Sequence, residues 1–167
     1  MKAPAEELDV GGIAVRLTNP DRVYFPARGE TKLDLAEYYL SVGDGIVNAL
    51  RERPCMLHRF PTGVTGEKVH QKRLPKGAPE WMETVQVFFP RWKRTADELC
   101  VTEIAQVAWA VQMSTVEFHP WNSRRADVEI PSSRAHARSF CVRPSCVTNR
   151  GAPGSGDRPR ARARTRA

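Results

Sequence analysis

No stretch of this chain approaches the ~18 consecutive apolar residues that a membrane-spanning helix needs. The N-terminus, Met1 to Asp9, has no apolar core of the kind a secretory leader carries. These absences exclude a helical membrane protein and point to a soluble, cytoplasmic one. Cysteine is scarce: Cys55, Cys100, Cys141 and Cys146 are the four, and none shows zinc-ligand spacing. His136 near the last pair does not complete a metal set. Neither Ser114 nor Ser123 sits in a Gly-x-Ser-x-Gly elbow. A hydrolytic triad with His119 and Asp127 therefore lacks its nucleophile turn. Internal repeats are also missing.

Leucine and isoleucine disappear after Ile130, and acids nearly do. Residues 131–167 hold nine of the 26 Lys and Arg residues and a single acid, Asp157, for a net charge of +8. Residues 1–130 sum to −1, so the basic character of the chain belongs to its tail. With Phe140, Val142 and Val147 as its only large apolar side chains, the tail cannot bury enough surface to offset the entropy of ordering, and disorder is expected there. The run Arg158 to Arg166 suits nucleic acid or an acidic surface through charge alone, as it also suits plain solvation. Of its 37 residues, 27 are Arg, Ala, Pro, Gly or Ser. Those residues have GC-rich codons, so the tail fits an out-of-frame reading of a GC-rich gene. The nucleotide sequence across codon 131 tests that idea.

Before the break, the pattern is mixed, with more strand than helix. Residues 1–12 read as an extension and 13–130 as one domain. Ile13 to Leu17 reads as a strand and Asn19-Pro20-Asp21 as a turn. Thr31 with Asp34 predicts a capped helix burying Leu35, Tyr39, Val42, Ile46 and Leu50 across a Gly43-Asp44-Gly45 interruption. Cys55 to Phe60 and Glu67 to Arg73 predict a hairpin. Thr84 to Phe89 and Glu98 to Val101 predict a looser pair around a loop from Pro90 to Asp97. Thr102 is expected to cap a helix whose buried stripe is Ile104, Val107, Ala108 and Val111. Ser114 to His119 then returns as a strand.

Three constellations carry chemistry. Arg22 and Lys32 flank the capped helix start, where free N–H groups, a Thr hydroxyl and two cations suit a phosphate. From spacing alone a lysine pointing into water is the favoured reading of Lys32. On the strand Glu67 to Arg73, alternation puts Lys68, His70 and Lys72 on one face, next to Met56, His58 and Phe60 of the neighbouring strand. That surface suits nucleic acid, or is an edge guarded by lysines. In Ser114 to Arg124, Val116 and Phe118 turn to the core while Thr115, Glu117 and His119 face away. His119 is then presented at a strand end.

Leu17 to Pro26, Thr31-Lys32, Glu67 to Lys72, Gly77 to Trp81 and Ser114 to Arg124, in this order and spacing, resemble the polymerase domain of bacterial DNA ligase D. That family belongs to the archaeo-eukaryotic primase superfamily and works in non-homologous end joining. The resemblance runs from about Ile13 to about Ile130 and implies an α+β fold, the N-terminal part of a primase-like domain with a mixed or antiparallel sheet and flanking helices. It implies that Arg22 and Lys32 grip a DNA 5′-phosphate, that His70 and Lys72 contact the template strand, and that His119 approaches the triphosphate of the incoming nucleotide. The loop from Pro90 to Asp97 corresponds to one that helps two DNA ends meet. DNA ends with 5′-phosphates, Ku and a DNA ligase domain are the implied partners.

The family uses Mn2+ or Mg2+ held by an Asp-x-Asp pair and a later carboxylate. No Asp-x-Asp occurs in this sequence. Asp127-Val-Glu129 resembles one but precedes the catalytic pair in the family's register. A chain without its own catalytic metal site, inactive or serving only to bind DNA ends, is therefore expected. An incomplete sheet with exposed edges and marginal stability is expected with it.

Overall fold

The computed structural model describes residues 4–128 and the two-residue strand Phe140–Cys141. The expectations for Glu129, for the Cys146 and His136 side chains and for the rest of the tail lie outside the described residues. Ala5–Val10 (β1) and Ile13–Thr18 (β2) form an antiparallel hairpin with Val10 opposite Ile13. Gly11 and Gly12 turn it with φ of 64° and 86°, the two left-handed positions that a two-residue turn of this type demands. The Gly12 N–H donates to Asp9 at 2.9 Å. Within the expected extension, Ala5–Val10 is thus one arm of a hairpin, and its Val10 joins Val15 and Leu17 in the core.

Val23–Phe25 (β3) and Glu30–Thr31 (β4) pair and lead into helix α1, Lys32–Ser41. The capping box forms as expected. The Thr31 N–H donates to Asp34 Oδ2 at 2.7 Å, and the Asp34 N–H donates to Thr31 Oγ1 at 3.3 Å. The single helix expected through Leu50 is two, because the chain breaks at Val42 before α2, Gly43–Leu50. Leu35, Tyr39, Ile46 and Leu50 are buried as the periodicity requires, whereas Val42 is turned out at the break.

The main sheet contains Pro54–Arg59 (β5), Val69–Gln71 (β6), Thr84–Phe89 (β7), Arg94–Cys100 (β8), Thr115–Pro120 (β9) and Phe140–Cys141 (β10). Its order is β10-β9-β5-β8-β7, all antiparallel, with β6 also paired to β5. Strand β8 starts at Arg94, four residues before the expected Glu98. The polar loop expected from Pro90 to Asp97 therefore shrinks to a 3-10 turn over Pro90–Trp92 and Lys93 in the left-handed region (φ 48°). Charge at Arg94, Asp97 and Glu98 had disguised a strand that needs only one apolar face, here Ala96 with Val87 opposite. Two residues of the tail, Phe140 opposite Phe118 and Cys141 opposite Glu117, extend the sheet at β9, a pairing the tail's composition does not announce.

Helix α3, Ile104–Gln112, is buried along nearly its whole length. Its N-cap is Glu103, not Thr102: Gln106 accepts from the Glu103 N–H, while the Thr102 hydroxyl donates to Glu83 at 2.7 Å. Residues all round a helix are apolar when neighbours cover every side. Here β2, α1, α2 and β9 do so. Strand alternation then sends Leu57, Val116 and Phe118 into the core, and Tyr39 meets Phe118 edge-on at 5.4 Å. Met56, His58, Glu117 and His119, at the alternate positions of the same strands, belong to the other face of the sheet. Among the described residues no helix is long and apolar enough to cross a membrane.

Candidate functional site

Register decides what this second face holds. His58 on β5 lies opposite both Glu117 on β9 and His70 on β6, and Met56 lies opposite His119. Three imidazoles consequently crowd together at tilted angles, the His58 ring centroid standing 3.6 Å from that of His119 and 4.3 Å from that of His70. Glu117 Oε2 gathers His58 Nδ1 at 2.7 Å, the Lys68 ammonium at 3.0 Å and His119 Nε2 at 3.2 Å. Burial opposes ionisation of Glu117, but the hydrogen bonds from His58, Lys68 and His119 outweigh it and hold its pKa at about 2. His58 moves the other way: its burial, with the neighbouring His119, Lys68 and His70, lowers its pKa against the pull of Glu117. The sequence places His58 and Glu117 on this face but assigns neither a role, because only the cross-strand register makes them neighbours.

Beside His119 lies a cavity of about 330 Å³ lined by Met56, Lys72, Phe89, Glu98, Trp121 and Asn122. Glu98 is fully buried and accepts from the Trp121 indole N–H at 2.8 Å. Its burial raises its pKa, while the Trp121 hydrogen bond and the charge of Lys72 lower it. Lys72 borders a second hollow of about 420 Å³ with His70, Phe89, Trp92 and Arg94. Its ammonium sits 4.1 Å from the Phe89 ring centroid and 5.1 Å from that of Trp92, and the Arg91 guanidinium lies 5.5 Å from Trp92. Phe88 and Trp92 are more than half exposed, at 53% and 57%. Exposed aromatics among cations form the surface on which nucleic-acid bases stack and phosphates are neutralised. The signal for it in the sequence is Phe88-Phe89 and Trp92 among basic residues, which the loop boundary obscured.

The structure keeps Arg22 and Lys32 together but gives them different settings. Lys32 is 4% exposed, and its ammonium donates to the Thr18 carbonyl at 2.9 Å, the Gln112 carbonyl at 2.8 Å and Gln112 Oε1 at 2.9 Å. All three of its protons are in use. Burial, then the charges of Arg22 and Arg59, bring its pKa down to about 8. The helix N–H groups are occupied as well: Lys32 N–H donates to the Arg22 carbonyl, Leu33 N–H to that of Pro20, and Asp34 N–H to Thr31. Arg22 is exposed, and its guanidinium donates to the Pro61 carbonyl in the loop after β5. That loop is held close by the Val64 N–H on the Tyr24 carbonyl at 3.0 Å, and by Gly63, whose positive φ and lack of a Cβ admit the Val23 carbonyl. Asp127, the first acid of the Asp127-Val-Glu129 stretch, lies in a 3-10 turn over Arg125–Asp127.

Comparison with known proteins places this architecture. Residues 31–135 match the family model described as LigD, primase-polymerase domain. The multifunctional non-homologous end joining protein LigD of Mycolicibacterium smegmatis is 36% identical over 105 residues, covering 63% of this chain and 14% of its own length. The protein of the same description from Pseudomonas aeruginosa is 32% identical over 131 residues, covering 78% and 15%. Among solved structures, the polymerase domain from Mycobacterium tuberculosis ligase D in complex with DNA superposes with a TM-score of 0.63 and 31% identity, covering 66% of this chain and 38% of that one. The α+β arrangement with its antiparallel sheet is thus the primase-like fold of that domain. The chain spans about one-seventh of the length of these curated relatives.

LigD polymerase domains are metal-dependent nucleotidyltransferases. Among the described residues the grouping of metal-type donors is His58, Glu117 and His119. Two imidazoles and one carboxylate do not fit a pair of hard ions that take oxygen ligands. Glu98 is buried against Trp121 and Asp127 lies in a separate turn, so neither joins that cluster among the described residues.

Proposed function

We propose a function from one premise: the chain belongs to the LigD primase-polymerase domain family, and it supplies the DNA-holding, nucleotide-facing part of a template-directed nucleotidyltransferase acting at broken DNA ends. The observation that carries this reading is the open, cationic and aromatic face where Lys72 lies against Phe89 and Trp92 next to His70. In this reading His70 and Lys72 meet the template strand, and Trp92 offers a ring for a base at its end. Arg22 meets a 5′-phosphate, with the buried charge of Lys32 directly behind it. His119, beside a cavity that Asn122 and Lys72 also line, faces the triphosphate. The Arg-rich segment beyond Ile130 adds sequence-independent affinity. Mn2+ or Mg2+ serves the complete domain, and Ku and a ligase domain are its partners at the nucleoid in the cytoplasm.

A second reading, DNA-end binding without catalysis, is favoured by the donor set of His58, Glu117 and His119, which is not a carboxylate pair. The purified chain is then expected to add no nucleotide to a primer with Mg2+ or Mn2+. Incorporation under either metal would overturn this second reading. Fluorescence anisotropy on recessed DNA ends with and without a 5′-phosphate tests binding itself. Tighter binding of the phosphorylated end is expected. Equal affinities that vanish on deletion of residues 131–167 would reduce the interaction to tail charge and sink the proposal.

A further inference from the structure

His58 and Glu117 face each other across β5 and β9, and His119 follows Glu117 two residues on, so three metal-type donors project from two paired strands inside the sheet. One ligand atom from each of the three lies within 4.8 Å of the others, and His58 Nδ1 and His119 Nε2 both contact Glu117 Oε2. The His119 contact to the carboxylate, 3.2 Å, is close to the separation of about 3.4 Å between neighbouring ligands of a tetrahedral zinc ion with bonds near 2.1 Å, and the 2.7 Å hydrogen bond from His58 would open by a fraction of an ångström to admit one. A cation already occupies the place: the Lys68 ammonium lies 3.0 Å from Glu117 Oε2 and 3.5 Å from His58 Nδ1. Lys68 reaches in from the exposed segment just before β6, and its side chain is 38% exposed, so the cluster opens to solvent on that side. The rings of His70 and His119, tilted against it on either side, restrict the His58 imidazole. A donor set on rigid strands with one exchangeable cation is a preorganised ligand shell.

We infer that His58 Nδ1, Glu117 and His119 Nε2 bind one divalent transition-metal ion of the zinc class, with Lys68 swinging out as the ion enters. Two imidazoles and one carboxylate suit such an ion, whereas Mg2+ favours oxygen ligands. Three protein ligands leave a fourth position for water on the side that Lys68 vacates. Both imidazoles then hold their protons on the ring nitrogens away from the metal. The site uses donors other than the carboxylates of nucleotidyl transfer and shares only His119 with the proposed nucleotide contact.

The test is Zn2+ binding to the full chain by equilibrium dialysis, with Co2+ substitution to report coordination by its visible absorption. A C141S/C146S background removes the tail thiols as competing ligands. One equivalent is expected in that background. Glu117→Gln and His119→Gln should each weaken binding by more than the roughly 10–100-fold that loss of an outer-shell partner costs. Lys68→Met should tighten it about fivefold, the weight of a half-exposed ion pair. The gain in Lys68→Met keeps the test decisive even where a ligand variant folds poorly. No stoichiometric binding by the native chain, binding by Lys68→Met alone, or binding unchanged in both ligand variants would each overturn the inference.

Discussion

The start of α1 and the open face of the main sheet both gather positive charge, and they handle it in opposite ways. At the helix start, Lys32 is folded inward and its three protons are divided between the Thr18 and Gln112 carbonyls and the Gln112 side chain. On the sheet face, Lys72 lies over the rings of Phe89 and Trp92, and Lys68 reaches from solvent to Glu117. A buried cation with a full set of acceptors ties β2, α1 and α3 to one another. A cation laid over aromatic rings at the surface keeps its field available to an incoming polyanion. The same residue type is therefore a structural tie in one region and an exposed charge in the other.

If that contrast holds, Lys32→Met should have the largest effect on stability, a loss of about 3 kcal/mol, because it leaves buried carbonyls without a donor. Urea denaturation measures it. A loss below that of an ordinary surface lysine would break the comparison. The linkage has a definite sign. The folded pKa of Lys32 is about 8 against 10.5 unperturbed, so the unfolded chain binds more protons between those values. The advantage of the native chain over Lys32→Met should accordingly grow as pH rises from about 8 to 10.5.

Glu117→Gln comes next, with a loss of about 2 kcal/mol at neutral pH. Glu117 is depressed from 4.5 to about 2, so its contribution is complete above pH 4.5 and disappears as pH falls through about 2. Native and variant stabilities should converge over that window, and a constant gap in acid denaturation would show that Glu117 acts through packing alone. On the surface, Trp92→Ala should leave stability unchanged and weaken single-stranded DNA binding about tenfold, within the ~1–3 kcal/mol that stacking of one base contributes. Equal anisotropy curves for the two proteins would remove Trp92 from the DNA surface. Lys72→Ala should lower the salt dependence of DNA affinity by about one unit of slope. The smallest expected change is Thr31→Ala, about 1 kcal/mol from the lost cap. Thermal unfolding would detect it, and it should not alter DNA affinity.

Much of this architecture is legible one residue at a time. The capping box at Thr31 and Asp34, the buried positions Leu35, Tyr39, Ile46 and Leu50, the β5–β6 hairpin and the inward turn of Val116 and Phe118 all follow from local periodicity. What the sequence obscured has a cause outside each segment. Strand β8 begins in a charged stretch, β1 lies in a segment with alternating acids, and the cap of α3 passes from Thr102 to Glu103 because the Thr102 hydroxyl finds Glu83. Strands β1 and β8 each pair with their neighbour in sequence, whose backbone and apolar face accept a charged partner strand, and at α3 a residue 19 positions away overrides the local cap preference.

By itself the sequence determined the family blocks, the alternation that puts His58, His70, Glu117 and His119 on one side of their strands, and the lack of an Asp-x-Asp pair. Only the tertiary structure decided that His58 stands opposite Glu117, that Lys68 reaches into their midst, and that Lys32 is enclosed while Lys72 is displayed. The physical reason is that side-chain direction along a strand or helix is a local property of the backbone. Cross-strand register and burial depend on residues tens of positions apart that the chain brings together only when it folds.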